Sequence, residues 1–289
     1  MTWQCFGIVF DLLSPLHIGF HKVGSVQRTR HYIPARNLLA STAELLVHSG
    51  SLRLPYQDAL AWVRQHFCFS YFFISEGQEV LLPTYTNKGL RYGRLTRDEF
   101  ERRYLSAHVT TAMDAETTSA EQGSLHEVEF ISPHALDQPG NPKRTQIGGW
   151  IFVRQDVWNL VGDEAALRNH LAELQVGGER RYSFGWLSLR AANWRPTTDM
   201  CGWPLRLDAS RPEVGLAMGR SFLAHVPASG VRARGMIEPL VGRETQGDSG
   251  QFGRRLTPGR ICWAPGSVCE DATALQFAED GTCVAAGGA

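Results

Sequence analysis

The sequence GGERRYSFGW, at residues 177–186, places two adjacent arginines and two aromatic rings between glycines. RNA backbones are bound by main-chain N–H groups and guanidinium forks, and unstacked bases are bound by aromatic faces. A connector whose arginines only face water is the alternative that this segment alone leaves open. The candidate RNA-binding residues in this segment, the glycine-rich turn, are Gly177, Gly178, Arg180, Arg181, Tyr182 and Phe184.

The residues around the glycine-rich turn predict a helix before it and a strand after it. Leu167, Leu171 and Leu174 are spaced i, i+4 and i+7, which places them on one helical stripe. The stripe predicts a helix from Asp163 to Gln175, and a strand is predicted from Trp186 to Ala191. The two glycines at 177 and 178 are expected to end the helix, because glycine adopts positive φ without a Cβ clash.

A second segment, near the N-terminus, is basic and free of acid. LSPLHIG at residues 13–19, the first-strand turn, is predicted to end a strand, and YIPARNLLA at residues 32–40 opens a helix. A polar, basic loop is predicted between them, and no Asp or Glu occurs between Asp11 and Glu44. Such a patch is typical of phosphate binding, although a solvated loop would have the same composition. The candidate RNA contacts here are His17, Lys22, Arg28, Arg30, Arg36 and Asn37, and Asn37 is also expected to cap the helix.

The remaining patterns predict an α+β fold with the ferredoxin-like order β-α-β-β-α-β. Extra elements, including a second helix, are expected between the strands. The predicted strands before the glycine-rich turn span residues 3–13, 69–74, 80–82 and 146–153, and the predicted helices span 37–48, 56–67 and 163–175.

Two ferredoxin-like (RRM-like) halves are predicted. Residues 1–195 form the first half, which carries a long insertion at 84–146 with a short helix from Arg97 to Tyr104. Residues 196–289 are rich in Gly and Pro with short apolar runs, and they predict a smaller, degenerate, β-rich half. The boundary is expected between Arg195 and Cys201, where Pro, Thr and Asp cluster.

Composition excludes several classes of protein. Of the 289 residues, 43% are apolar, which is enough for a packed core, and the formal net charge is zero. A free-standing, non-specific nucleic-acid binder would be more basic. The spacing of Cys262, Cys269 and Cys283, even with His225, matches no standard zinc pattern, so neither a metal nor a cofactor is expected. No secretion signal or long apolar run is present, which predicts a cytoplasmic protein without membrane contact.

Four segments, in this order along the chain, resemble motifs of the RAMP superfamily of CRISPR effector proteins. The first-strand turn and the helix opening after it are similar to two of these motifs, and the glycine-rich turn is similar to the loop before the family's last ferredoxin-like strand. Residues 111–114 with 123–130 resemble a stretch of type III RAMP subunits. Residues 235–239 with 263–268 resemble the C-terminal half of the type III subunits that cap the 5′ end of the guide RNA. The sequence departs from the family pattern at Ala35, Arg36, Asn37 and Ala115.

The resemblance implies a non-catalytic, RNA-binding subunit of a type III CRISPR ribonucleoprotein effector, which binds the 5′ repeat-derived handle of the guide RNA. Its implied partners are the guide RNA, a neighbouring RAMP backbone subunit and the large polymerase/cyclase-like subunit. The insertion is then interpreted as a thumb-like hairpin, basic toward guide RNA at Lys88–Arg103 and acidic toward a neighbouring subunit at 107–142. A solvated insertion is the alternative for this stretch.

Other functions remain open at this stage. A guide-precursor endoribonuclease would use a histidine as general acid or base, and His17, His21 and His31 all lie in the basic segment. A backbone RAMP subunit that cuts target RNA would use an aspartate, for which Asp114 is the candidate. A generic protein-interaction module is the remaining alternative.

Overall fold

The structure is a computed structural model that describes residues 2–77, 79–111, 113, 119, 124–136, 140, 142–244 and 255–287. Asp114 and the glycine-rich stretch at 247–253 lie outside these residues. The described helices are α1 (Ala35–His48), α2 (Tyr56–His66), α3 (Arg97–Tyr104), α4 (Trp158–Val161) and α5 (Glu164–His170). None of them is long and apolar enough to cross a membrane.

The strands of the N-terminal part occur in runs between these helices. In chain order they are β1 (Trp3–Leu12), β2 (Gly19–Val23), β3 (Val26–Thr29), β4 (Tyr32–Ile33), β5 (Phe67–Phe69), β6 (Phe72–Glu76), β7 (Glu79–Val80), β8 (Pro83–Thr86), β9 (Gly89–Tyr92), β10 (Leu95–Thr96), β11 (Leu105–Thr110), β12 (His126–Ile131), β13 (Gln146–Arg154), β14 (Glu173–Gln175), β15 (Trp186–Leu189) and β16 (Arg195–Pro196).

The C-terminal part is built from strands alone in the residues described. They are β17 (Leu205–Arg206), β18 (Glu213–Leu216), β19 (Val226–Pro227), β20 (Ala233–Arg234), β21 (Ile237–Leu240), β22 (Arg243–Glu244), β23 (Arg255–Leu256), β24 (Arg260–Trp263), β25 (Val268–Cys269), β26 (Thr273–Phe277) and β27 (Cys283–Ala285).

The central sheet has the ferredoxin-like strand order. Its strands run β14-β15-β1-β13-β6-β4, so β15, β1, β13 and β6 take the antiparallel 4-1-3-2 arrangement. Strand β1 pairs with β13 along its length, from Trp3 opposite Arg154 to Asp11 opposite Gln146. Both strands are rich in buried apolar residues, which places them at the centre of the sheet. The predicted α+β class and the order of the elements are confirmed.

Helix α1 packs one apolar face against the core, where Leu38, Leu39 and Leu46 are fully buried. It begins two residues earlier than predicted because Pro34 supplies the N-cap with an extended backbone. The N–H of Asn37 donates to the Pro34 carbonyl at 3.0 Å, so Asn37 lies inside the first turn. The expectation that its side chain caps the helix is therefore wrong.

The helix before the glycine-rich turn is shorter than predicted. Helix α5 begins after Asp163, whose Oδ1 accepts from the Ala166 N–H at 2.8 Å, and it ends at His170. The last residues of the predicted helix instead form the edge strand β14 against β15. Leu174 and Val176 are both buried, which is the period of a strand. In the sequence, Leu174 at i+7 fits both the 3.6-residue period of a helix and the two-residue period of a strand.

Two other boundaries differ for local reasons. Phe67 opens β5 instead of closing α2, and the predicted strand at 69–74 is interrupted at Ser70. The Ser70 hydroxyl accepts from the Trp150 N–H at 2.9 Å, so a side chain replaces the missing backbone partner.

The predicted basic loop is a β-hairpin. Strands β2 and β3 form it around Gly24, whose φ is +60°, and we call residues 19–29 the basic hairpin. Its strand β3 pairs in parallel with β12 of the insertion, so the second sheet has the order β11-β12-β3-β2. The loop prediction was wrong because β2 is exposed at every residue and so has no buried apolar face, and because β3 also pairs with a strand about a hundred residues away, where Val26 lies opposite Glu127.

The C-terminal part is β-rich, as predicted, and shares its hydrophobic core with the N-terminal part. Its largest sheet runs β17-β18-β26-β27, and the Phe277 ring of β26 lies 4.7 Å from the Phe152 ring of β13. Both rings are buried, in one cluster that extends from Trp3 to Cys283. The two parts therefore stabilise one another.

Replacing Phe277 by Ala should lower the free energy of unfolding of the entire chain by about 3–5 kcal/mol, because the cavity opens in the shared core. Urea denaturation followed by tryptophan fluorescence measures this. Met218→Ala, at a side chain that is 72% exposed, is the control and should change it by no more than about 0.5 kcal/mol. Two separate transitions, of which only one shifts, would contradict the shared core.

Candidate nucleic-acid interface

The glycine-rich turn docks onto the first-strand turn through backbone hydrogen bonds. The Gly178 N–H donates to the His17 carbonyl and the Gly185 N–H donates to the Pro15 carbonyl, both at 2.8 Å. The Trp186 N–H donates to Ser14 Oγ at 3.0 Å. Two segments about 160 residues apart in the sequence thus form one surface, as a neighbouring placement of β1 and β15 requires.

Two glycines permit this close approach. Gly177 has φ +88°, and a Cβ there would overlap the His17 carbonyl oxygen; Gly185 has φ +83°, and a Cβ there would overlap the carbonyl oxygen of Val176. Any other residue would be both strained and obstructed. Gly178 does not have positive φ, and Gly177 and Gly178 do not end a helix, since they follow strand β14. That part of the prediction is corrected.

Between these glycines the chain makes a tight 3₁₀ turn at Arg180–Tyr182. Glu179 and Ser183 on either side have φ of 54° and 62°, in the left-handed region that non-glycine residues rarely adopt. The Gln175 side-chain amide holds the turn by donating to the carbonyls of Arg180 and Phe184 at 3.2 and 2.9 Å.

Two of the four candidate side chains of the turn face solvent, and the other two contact other parts of the chain. Arg181 is exposed, and the Tyr182 ring is 75% exposed, beside an open depression lined by residues 177–182. Arg180 instead forms an ion pair with Glu44 of α1 at 2.7 Å. Phe184 is half-buried, with its ring edge-to-face against Phe130 at 5.6 Å. Arg181 and Tyr182 are therefore the side chains most available to a ligand.

His17 joins the glycine-rich turn to the basic hairpin. Its side chain is buried, and its Nδ1–H donates to the Glu129 carbonyl at 2.7 Å. The ring lies beside two glycines, since a Cβ on Gly178 would be 3.2 Å from Cδ2 and one on Gly19 would be 3.7 Å from Nε2. His17 is thus a packing residue at the centre of the surface.

The carboxylate of Glu129 organises the basic hairpin from strand β12. Its Oε2 pairs with Arg28 Nε at 2.8 Å, and its Oε1 accepts from the Thr29 N–H at 3.1 Å. This acid of the insertion therefore faces the same chain's basic hairpin. The prediction that the acidic part of the insertion faces a neighbouring subunit does not hold at Glu129.

Arg30 connects the basic hairpin to the C-terminal part. Its Nη1 lies 2.7 Å from Oε1 of the buried Glu238 and 2.8 Å from the Tyr32 hydroxyl, which accepts from it. The guanidinium also lies over the Phe20 ring, 4.5 Å from the centroid. The side chain is mostly buried, unlike that of Lys22 on β2, which is exposed.

The remaining two candidates lie at the start of α1, under the C-terminal part. The Arg36 guanidinium packs against Gly242, and a Cβ on Gly281 would lie 2.6 Å from Ala35 Cβ. Arg36 and Asn37 are half-buried there. The structure thus gathers the glycine-rich turn, His17 and the basic hairpin, whereas Arg36 packs against the C-terminal part and Asn37 is half-buried in the first turn of α1.

Sequence reasoning missed Phe20, Gln175 and Glu129. Phe20 could have been found as an aromatic residue beside His21 and Lys22 in the acid-free stretch. The contacts of Gln175 and Glu129 carry no sequence signal, since each depends on how strands distant in sequence pair.

His225, considered as a zinc ligand, is engaged elsewhere. Its Nδ1 accepts from the Tyr71 hydroxyl at 2.7 Å, and its Nε2–H donates to Glu238 Oε1. Burial raises the pKa of the Cys262, Cys269 and Cys283 thiols above the ordinary value. In the part of the chain that the structure describes, no three His, Cys, Asp or Glu side chains form a cluster that could hold a metal ion.

No protein-family model and no curated protein sequence matches the chain. Among solved structures, it is similar to a chain of type III-B Cmr-beta bound to cognate target RNA and AMPPnP, with a TM-score of 0.56 and 11% identity over 91% of this chain and 85% of that chain. A chain of type III-B Cmr-beta bound to cognate target RNA gives a TM-score of 0.53 and 10% identity over 91% and 86%. At this identity the likeness is one of fold, and it agrees with the α+β architecture described above.

Replacing Gly185 by Ala should destabilise the protein by at least about 2 kcal/mol more than Gly202→Ala, because the added methyl group displaces the Val176 carbonyl. Gly202 is the matched control, since its φ of +80° is nearly the same but nothing lies within 4 Å of a Cβ there. Urea denaturation of both variants measures the difference. Equal losses would show that φ strain alone, and not the close approach, requires glycine at 185.

Proposed function

We propose that this chain is a non-catalytic, RNA-binding subunit of a type III CRISPR effector complex, which holds the 5′ repeat-derived handle of the guide RNA. The observation that carries the proposal is the docking of the glycine-rich turn onto the first-strand turn through the Gly178–His17 and Gly185–Pro15 hydrogen bonds. It gathers two of the four segments that resemble RAMP motifs into one surface, although they are far apart in the sequence.

The chemistry of this surface suits a single-stranded RNA. Arg181 supplies a solvent-facing guanidinium for a phosphate, and Tyr182 supplies an exposed ring for a base. Lys22 adds a second exposed cation on the adjoining basic hairpin. Two carboxylates near the hairpin, Glu129 and Glu238, are paired with Arg28 and Arg30, which reduces their repulsion of a phosphate backbone.

The fold comparison supports the assembly in which the surface would act. The similar chains belong to type III-B Cmr-beta complexes with cognate target RNA, and the likeness extends over nine-tenths of this chain. In the proposed role, the partners are the guide RNA, a neighbouring RAMP backbone subunit and the large polymerase/cyclase-like subunit.

The histidines of the basic segment support a role without chemistry. Burial lowers the pKa of His31 to about 4, so the ring is neutral near pH 7, and its Nδ1 is hydrogen-bonded to the Tyr92 hydroxyl at 2.7 Å. His17 is buried with its Nδ1–H on a carbonyl. His21 is exposed, but general acid–base cleavage of RNA needs a second group beside it.

Replacing Arg181 by Ala should weaken guide-RNA binding by about 1–3 kcal/mol, as expected for one charge-assisted contact, and lower the slope of log K against log salt by about 0.7. Filter binding across a salt titration measures both. Arg195→Ala is the matched control: Arg195 is exposed but lies opposite Gly7, roughly 16 Å back along β1 from its end. Arg180 is unsuitable, because its loss also breaks the ion pair with Glu44. An unchanged affinity and salt slope for the Arg181 variant would assign the turn a structural role only.

The purified protein should leave repeat RNA intact at neutral pH, both in magnesium and in EDTA, because His17 and His31 are hydrogen-bonded within the protein and only His21 of these three histidines is exposed. Gel analysis of labelled repeat RNA is the measurement. The assembled complex should also keep target cleavage when Asp114 is replaced by Ala. Repeat cleavage that is abolished by His21→Ala would establish the endoribonuclease alternative instead, and loss of target cleavage with Asp114→Ala would establish the backbone-subunit alternative.

A further inference from the structure

Phe20 is a large apolar side chain that strand β2 leaves in solvent. It is 39% exposed, and every residue of β2 is exposed along with it. An isolated exposed phenylalanine carries no information, but this ring is held by specific contacts. The Arg30 guanidinium lies over one face, 4.5 Å from the centroid, and the exposed His21 ring meets it at 69° with centroids 4.3 Å apart.

The support behind the ring is a buried polar network. Arg30 is fixed by Glu238 and Tyr32, and Glu238 in turn accepts from His225, which is fully buried and also bonded to Tyr71. Burial raises the pKa of Glu238, but the hydrogen bonds from His225 and Arg30 more than offset this and lower it below the ordinary value. The carboxylate therefore stays ionised near neutral pH and keeps Arg30 in place.

The position of Phe20 connects it to the proposed RNA surface. It follows Gly19, which lies beside the His17 ring, and the same ring packs closely against Gly178 of the glycine-rich turn. The exposed cation of Lys22 lies two residues further along the same strand. An aromatic face beside a cation, next to a glycine-rich backbone turn, is the arrangement that binds one unpaired nucleotide.

We propose that Phe20 is a stacking platform for one unpaired base of single-stranded RNA, with Arg30 fixed against the opposite face of its ring. The cation polarises and immobilises the ring, so that stacking a base costs little side-chain entropy. The inference rests on the proposed function and adds a base-binding residue to it. The base can come from the guide handle or from the target RNA, since both present the same π face.

The test compares Phe20→Leu with Phe20→Tyr in the purified chain, using fluorescence anisotropy with labelled handle RNA and, separately, labelled target RNA. Leucine keeps the apolar bulk without the π face, so Phe20→Leu should weaken binding of one of these RNAs about 5- to 100-fold, whereas Phe20→Tyr should stay within about twofold of wild type. Val23→Ala is the control, because Val23 is exposed on the same strand but has no aromatic face.

An abasic substitution makes the test specific to stacking. Ultraviolet crosslinking identifies the nucleotide joined to the Phe20 peptide, and removing that base should weaken wild-type binding as much as Phe20→Leu does, with no further loss when both are combined. If wild type binds RNA but Phe20→Leu binds equally well, the platform is overturned while the proposed function stands. If wild type binds neither RNA, the proposed function fails, and the platform fails with it.

Discussion

The absence of a side chain at Gly177 and Gly185 is the constraint on which the proposed RNA surface depends. Each glycine has positive φ and lies where a Cβ would overlap a carbonyl oxygen. Because neither position has a Cβ, the glycine-rich turn can approach the first-strand turn closely enough for hydrogen bonds of 2.8 Å. The strained 3₁₀ turn that presents Arg181 and Tyr182 then projects from a base held at both ends.

Two carboxylates that pair within the chain explain how a neutral protein can present a basic surface. Glu129 neutralises Arg28 of the basic hairpin and Glu238 neutralises Arg30, the residue that follows it, each from a strand that belongs to another part of the chain. Because ion pairs of this kind are expensive to bury, their value here is geometric: each fixes the direction of a guanidinium and links two segments. Lys22 and Arg181 are exposed and take no part in these two ion pairs.

Local patterns were sufficient to predict the order of the elements and, for some of them, the first and last residues. Helix α3 spans Arg97–Tyr104 as predicted, because Thr96 and Glu99 form a capping box that is visible in the sequence. The errors arose where strand pairing decides the structure. Strand β14 was predicted as the end of a helix, and the basic hairpin was predicted as a loop. In both cases the partner strand, not the local sequence, determines the conformation.

The candidate site was predictable only in part, because contacts between residues that are distant in sequence determine its exposed side chains. The segments that meet were identified, since glycines and arginines are informative wherever they cluster. Which arginines stay exposed could not be deduced, because Arg30 and Arg180 pair with acids that are distant in sequence. Phe20 was overlooked although it stands beside His21 and Lys22 in the acid-free stretch, because the sequence does not show that Arg30 lies over its ring.

The pairing of β1 has a consequence for synthesis on the ribosome. This strand, WQCFGIVFDL, meets β13 only at residues 146–154, and β15 and β16 follow as far as residue 196. At translation rates of about 5–20 residues per second, its apolar edges remain unpaired for roughly 10–40 s. During that interval the nascent chain exposes an apolar strand with both edges unpaired, which favours aggregation. The high contact order of this pairing therefore makes synthesis the stage at which this fold is most exposed to aggregation.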